Sequence, residues 1–280
     1  MRPLLLCTDL DRTLIPNGPQ PESPSAHELF KSLSAREEIT LTYVTGRHRA
    51  LIEQAIAEFR LPLPDYAIAD VGTTIYRITP DGWQNWDAWS EQIAPDWQGM
   101  THGEICNLLC GFEMLRLQEK EKQNRYKLSY YAPMEIDAQT LTEAMGVVLK
   151  KSGIKANLIW SIDEKEKVGL LDVLPASANK LFALHFLMQQ KGFRLEDTLF
   201  AGDSGNDLDV LLSDIPSVLV ANANEEIKAQ AARTNKEELY IAKGGYLGMN
   251  GNYSAGILEG VAHYWPEMGN WLSEMNPAKG

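Results

Sequence analysis

LLLCTDLDRTLI, residues 4–15, decides how this chain is read. Its first four residues are apolar, and so short a run before polar residues fits a strand buried on both faces, as in a parallel sheet. Asp9 and Asp11 then sit at the carboxyl end of that strand, the end at which open α/β sheets bind ligands. Two residues apart on an extended segment, their carboxylates point to the same side. Their repulsion is costly unless a cation or a shared proton offsets it, which ties such pairs to metal or acid–base sites. Alone, the same residues also fit a solvated, aspartate-rich turn.

Downstream, strand and helix patterns alternate, as a parallel α/β sheet requires. ITLTYVT (39–45) reads as a second strand. In HRALIEQAIAEF (48–59), Leu51, Ile52, Ala55, Ile56 and Phe59 fall on one helical stripe, and DYAIADVG (65–72) reads as a third strand. The texture then changes. TPDGW (79–83) is a turn, and the stretch after it carries Trp83, Trp86, Trp89 and Trp97 with two alternating segments, FEMLRLQ and RYKLSYYA. A helix over 137–153, a strand over 155–162 and the charged run DEKEK (163–167) complete an α+β insert. From VGLLDVLP (168–175) the first texture resumes, with helices near 178–191 and 206–213 and strands TLFAG and SVLVA. The expected fold is α/β: a mostly parallel core over residues 1–82 and 167–280, interrupted by an α+β cap domain over 83–166.

Composition narrows the function. The chain has 280 residues, 44% of them hydrophobic, enough to bury one large core or two smaller ones. A formal charge of −12 disfavours nucleic acid and acidic membranes as partners, since phosphate backbones are held by Lys and Arg. An anionic ligand would need local cations to overcome that field. No apolar run reaches the length expected of a signal peptide or a membrane span. Cys7, Cys106 and Cys110 cannot all pair and show no zinc-site spacing, so reduced thiols and a cytoplasmic location are expected.

A second acidic cluster shifts the reading of the first. FAGDSGNDLDVL (200–211) again places an apolar strand before an acidic loop, with Asp203 and Asp207 flanking Ser204, Gly205 and Asn206. Either loop is by itself an ordinary turn or N-cap. Two of them at the carboxyl ends of strands of one sheet form a set of hard oxygen ligands suited to Mg²⁺. YVTGR (43–47) offers the Thr45 hydroxyl and the backbone N–H of Gly46 to an anion, and Lys180 falls in the first turn of a helix. Singly, Thr45 reads as a helix cap and Lys180 as a solvated lysine.

In the order DxDxT, Thr, Lys, GDxxND, these motifs resemble the four signatures of the haloacid dehalogenase (HAD) superfamily, and the resemblance covers essentially the whole chain. DLDRT, GDSGND and YSAGILEGVAHY (253–264) make it most similar to the sucrose-phosphate phosphatase family. The resemblance implies a Rossmann-like core with a large α/β cap. It implies Asp9 as the nucleophile that forms an aspartyl-phosphate and Asp11 as the general acid and base. It implies a Mg²⁺ site from Asp9, Asp203 and the backbone carbonyl of Asp11, with Asp207 as a direct or water-mediated member. Thr45, Gly46, Lys180 and Asn206 are implied to hold the phosphoryl group, and Lys127, which matches a lysine of the family's cap strand, to contact the sugar.

The pattern departs from the family at three places. Arg12 stands where a small residue or Asn is common, Thr74 where an acid is common, and the loop 242–256 is long and rich in Gly and Asn. That loop reads either as a flexible connector or as a substrate loop. The insert tryptophans read as packing rather than sugar platforms. The implied substrate is a small sugar phosphate, with sucrose 6-phosphate ahead of mannosylfructose phosphate and a glucosylglycerol-type phosphate, and the implied protein partner is a sugar-phosphate synthase. A sugar phosphomutase and a binding module are the alternatives. A mutase favours a differently spaced fourth motif, binding modules often lose the nucleophile, and a dehalogenase needs neither the second aspartate nor the metal.

Overall fold

A computed structural model describes residues 2–163, 166–234 and 236–275. Among them, two sheets form. The first contains β1 (Leu4–Thr8), β2 (Ile39–Val44), β3 (Tyr66–Ala69), β4 (Thr74–Thr79) and β5 (Gly82–Asn85). The second contains β6 (Arg116–Leu117), β7 (Leu128–Ala132), β8 (Ala156–Asp163) and β9 (Val168–Pro175). The chain then returns to the first sheet with β10 (Thr198–Gly202), β11 (Ser217–Leu219) and β12 (Leu239–Ile241), giving the order β12-β11-β10-β1-β2-β3-β4-β5.

The opening stretch forms the centre of this sheet. Every residue of β1 is buried, and β1 pairs in parallel with both β2 and β10. Parallel pairing runs from β12 to β3, while β4 and β5 add an antiparallel hairpin at one edge. The strands after β1 lie on one side of it and the strands after the insert on the other. The sheet therefore reverses its order at β1, and the crevice outside the carboxyl ends of β1, β2 and β10 is the natural binding position. Among the described residues, no helix is long and apolar enough to cross a membrane.

The strand pairings fall elsewhere than the expected boundaries. Trp83 belongs to β5 in the first sheet, and Val168–Pro175 is an inner strand of the second sheet instead of the start of the returning core. The cause is that β9 buries one face against helices and turns the other to a cleft, so its apolar residues resemble those of a core strand. Only pairing partners distinguish the two. The charged run 163–167, read as the return, includes residues 164 and 165, which lie outside the described residues. Of FEMLRLQ only Arg116–Leu117 is strand, and the helix expected over 206–213 is a 3₁₀ turn, Gly205–Asp207, followed by Leu208–Leu211.

The tryptophans pack. Trp89 and Trp97 are fully buried, and Trp86 stacks on Tyr66 and meets Phe186 in a T-shaped contact. The Trp89 indole N–H donates to the Gly72 carbonyl at 3.0 Å, joining the insert to the turn after β3. The loop 242–256 is tied down rather than free. Glu259, buried in the helix Ser254–Tyr264, accepts from the backbone N–H groups of Lys243 and Gly244, and Asn250 donates to the Pro21 carbonyl.

Candidate active site

Asp9 follows β1, and its N–H donates to the Ala201 carbonyl on β10 at 2.9 Å, which fixes it between two acidic loops. Lys180 opens the helix Lys180–Lys191, started by Asn179, whose side chain accepts from the Phe182 N–H. That cap sets the first turn so that Lys180, 2% exposed, aims its ammonium into the crevice. Nζ donates to Asp9 Oδ1 at 2.9 Å, Asp207 Oδ1 at 2.7 Å and Asn206 Oδ1 at 3.0 Å. All three of its protons are therefore used.

The other oxygen of Asp207 accepts from the N–H groups of Asp203 and Ser204 and from the Ser204 hydroxyl, each at 3.2 Å. Gly202 permits this, since a Cβ there would lie 2.8 Å from the Asp207 carboxyl. Asp203 accepts from the Thr13 hydroxyl at 3.4 Å and pairs with the Arg12 guanidinium. The carboxylates of Asp9, Asp203 and Asp207 are all buried, with ligand atoms within 4.8 Å of one another.

Three buried carboxylates around one lysine shift one another. Burial raises the pKa of Asp9 well above the usual range, with Asp207 and Asp203 adding to it and Lys180 opposing it. Asp203 is pushed up to about 6 by burial and by Asp207, against Arg12 and Lys180. Lys180 is itself raised despite its burial, by Asp207 and Asp9. The site thus holds more negative charge than its lysine neutralises. A compact set of hard oxygen donors with that imbalance suits a small divalent cation such as Mg²⁺.

Asp11 stands apart. Its carboxylate takes a two-point contact from Arg47, Nε to Oδ2 at 2.8 Å and Nη2 to Oδ1 at 2.6 Å, and a third from the Asn17 amide at 2.7 Å. Partial burial works against its charge, but these contacts hold its pKa below the ordinary value. Its side chain is not among the clustered carboxylates; of its atoms, only the backbone carbonyl was expected at the metal. Thr45 is buried, with its hydroxyl accepting from the Arg47 N–H at 3.2 Å. Arg47 and Asn17 are the residues that sequence reasoning missed. Arg47 was in plain view in YVTGR, but nothing local says that it reaches back to Asp11.

Above the crevice lies a cleft of about 650 Å³, bordered by Gly46, Ser204 and Asn206 below and by Lys127, Ser161 and Asp172 of the second sheet above. The register puts Ser129, Asp172 and Ile159 in one row across β7, β9 and β8. Lys127 borders the cleft. Its ammonium is 3.5 Å from Asp172 and donates to the Lys122 carbonyl at 3.1 Å, while the Ser129 hydroxyl donates to Asp172. The wall therefore presents a connected polar network rather than one free lysine.

The turn between β3 and β4 contributes Val71 to the border of the cleft. Asp70, Val71 and Gly72 have φ of 52°, 60° and 95°, three left-handed residues in succession. A Cβ at Gly72 would lie 2.3 Å from the Asn179 backbone, so the turn presses on the end of the helix that carries Lys180. Strain of this kind persists only where surrounding structure imposes it.

The chain is similar to several known proteins. The family described as sucrose-6F-phosphate phosphohydrolase matches residues 2–265. An HAD-like hydrolase of Nitrosococcus oceani is 53% identical over 96% of this chain and 74% of its own length. The mannosylfructose-phosphate phosphatase of Agrobacterium fabrum is 28% identical over 94% of this chain and 98% of its own. The sucrose-phosphatase of Synechocystis, solved with sucrose and phosphate, superimposes with a TM-score of 0.74 at 28% identity, covering 94% of this chain and 98% of that one.

Proposed function

The chain belongs to the sucrose-6F-phosphate phosphohydrolase family, whose members hydrolyse phosphate monoesters, and from that premise we propose that it is a Mg²⁺-dependent phosphatase that cleaves sucrose 6-phosphate to sucrose and phosphate. The observation that carries this reading is the convergence of Asp9, Lys180, Asp203 and Asp207 at the carboxyl edge of the parallel sheet, beside a cleft that the same loop borders with Ser204 and Asn206.

Asp9 attacks phosphorus, the bond to the sugar oxygen breaks, and an aspartyl-phosphate forms. Water then attacks that phosphorus and frees phosphate and the Asp9 carboxylate. Lys180 keeps Asp9 in place and offsets charge as it meets the anionic ester, while the Thr45 hydroxyl, the Gly46 N–H and the Asn206 amide orient the phosphoryl oxygens. Asp11 supplies the proton to the departing sugar oxygen and recovers one from the attacking water. Clamped by Arg47 it is an ionised acceptor, so donation requires the carboxyl to leave the guanidinium and take up a proton before it meets the leaving oxygen. Mg²⁺, held by Asp9, Asp203, Asp207 and the Asp11 carbonyl, would neutralise phosphoryl charge.

The second sheet and its helices, residues 86–176, act as the cap in this reading, and the Lys127, Asp172 and Ser129 network contacts the sugar hydroxyls. Mannosylfructose phosphate is the competing substrate, since relatives acting on either sugar reach the same 28% identity. Association with a sugar-phosphate synthase would supply substrate directly. Phosphate release measured over a panel of sugar phosphates, with Mg²⁺ and with excess chelator, tests the proposal. Turnover highest on sucrose 6-phosphate and lost in chelator is expected. Full activity in chelator, or a phosphorylated sugar isomer in place of free phosphate, would overturn it.

A further inference from the structure

Arg12 is placed in a way the proposed chemistry does not use. Its φ of 58° lies in the left-handed region, where Asn and Gly are at ease and a long side chain is not. The backbone is clamped there on both sides. The Arg12 N–H donates to Asn17 Oδ1 at 2.8 Å, and its carbonyl accepts from the Asn222 amide at 2.6 Å. Asn222 also accepts from the Tyr253 N–H at 2.8 Å, so the clamp is anchored to the YSAG turn near the end of the chain. The side chain is 43% exposed, yet its Nε is buried and has no hydrogen-bond partner. That nitrogen faces Asp203 Oδ2 at 3.4 Å.

The charges around it show what this position does. Lys180 spends its protons on Asp9, Asp207 and Asn206, so it gives none to Asp203. Asp203 is left with the Thr13 hydroxyl at 3.4 Å and Arg12. Three clustered carboxylates therefore meet two cations: a buried lysine locked by three acceptors, and an arginine held only by charge on a half-exposed, rotatable stem. A divalent cation that takes Asp203 as ligand competes with the second for that carboxylate.

We propose that Arg12 is the resident counter-ion of the metal-free cluster, which holds Asp203 until Mg²⁺ arrives and thereby weakens the affinity of the site for that ion. This role rests on the reading of Asp9, Asp203 and Asp207 as a Mg²⁺ site. It also accounts for a long cationic side chain in a left-handed position, because the backbone strain is imposed by the Asn17 and Asn222 clamp and the guanidinium thereby reaches Asp203. Neutralising the residue removes the competition, while a lysine keeps the charge.

Calorimetric titration of the metal-free protein with MgCl₂ tests this without any turnover. Arg12→Gln should bind Mg²⁺ about three- to tenfold more tightly at low salt, the size expected of one unit charge beside a divalent ion at partial exposure. The gain should shrink as ionic strength rises. Arg12→Lys should stay near the wild type. Arg12→Asn, which suits the left-handed backbone, should tighten binding as Arg12→Gln does and fold at least as well, so that loss of charge and loss of fold are separable. Unchanged or weaker Mg²⁺ binding in Arg12→Gln and Arg12→Asn overturns the role of Arg12 and leaves the metal site standing, as does Arg12→Lys behaving like the neutral variants. Absence of binding heat in every variant overturns both.

Discussion

The crevice at the end of β1 and the cleft wall opposite it solve the problem of buried charge in different ways. In the crevice, three carboxylates share one fully buried lysine, and every proton of that lysine is spent. On the wall, Lys127 is matched to one carboxylate, Asp172, with the Ser129 hydroxyl and a backbone carbonyl completing the network. The first arrangement is short of positive charge and so suits a cation. The second is nearly neutral and offers directional hydrogen bonds, which is what discrimination among uncharged hydroxyl groups requires. In the proposed function, reaction chemistry belongs to one region and choice of sugar to the other.

Removing Lys180 should have the largest effect on this contrast. Lys180→Met leaves Asp9 and Asp207 buried without their counter-ion, a loss of about 3–5 kcal/mol in the metal-free protein by denaturant unfolding, together with loss of turnover. A cost below about 1 kcal/mol would show the crevice to be better solvated than its burial implies. Next comes a pH effect. Asp203 titrates near 6 in the folded protein against an unfolded value of 3.8, so the folded state binds more protons in that interval. Its contribution is complete below about pH 4 and is lost as pH rises through 6, a fall of roughly 3 kcal/mol in metal-free stability. Comparing wild type with Asp203→Asn across that range isolates it, since the variant should lack this fall.

Gly72 offers a smaller, purely structural test. Its φ of 95° and a Cβ position 2.3 Å from the Asn179 backbone make Gly72→Ala destabilising by about 2 kcal/mol or more, with weakened activity because Lys180 follows Asn179. Unchanged stability would mean that the turn relaxes freely. Smallest in free energy is the wall: Asp172→Asn should raise KM for the sugar phosphate about tenfold while kcat on 4-nitrophenyl phosphate stays within about twofold. Equal losses on both substrates would erase the division of labour.

The difference between the regions also explains what the sequence disclosed. β1, its two aspartates and the GDSGND loop were legible because each motif is local: an apolar run fixes the strand, and the acids that follow must stand at its end. Lys180 was placed by a helix start, and only assembly shows that it reaches residues 171 and 27 positions away in Asp9 and Asp207. The Arg47 contact to Asp11 spans 36 positions and has no local signature. The wall was least legible. Lys127 was identified through family resemblance, but Asp172 lines the cleft, with Ser129 buried behind it, because β9 pairs with β7, and VGLLDVLP by itself reads as a core strand. Alternation reveals a strand's two faces without telling which sheet or which ligand lies against them.

The central claim, that Asp9 and Asp11 do separate work on one phosphorus, is tested most directly by comparing Asp9→Asn and Asp11→Asn on sucrose 6-phosphate and on 4-nitrophenyl phosphate. Asp9→Asn should lower phosphate release from both substrates by several orders of magnitude, because neither can be attacked without the carboxylate. Asp11→Asn should cost about 10²–10⁴-fold on the sugar ester and much less on the aryl ester, whose leaving group departs without a proton. Wild-type turnover in Asp9→Asn, or equal losses on the two esters in Asp11→Asn, would contradict it.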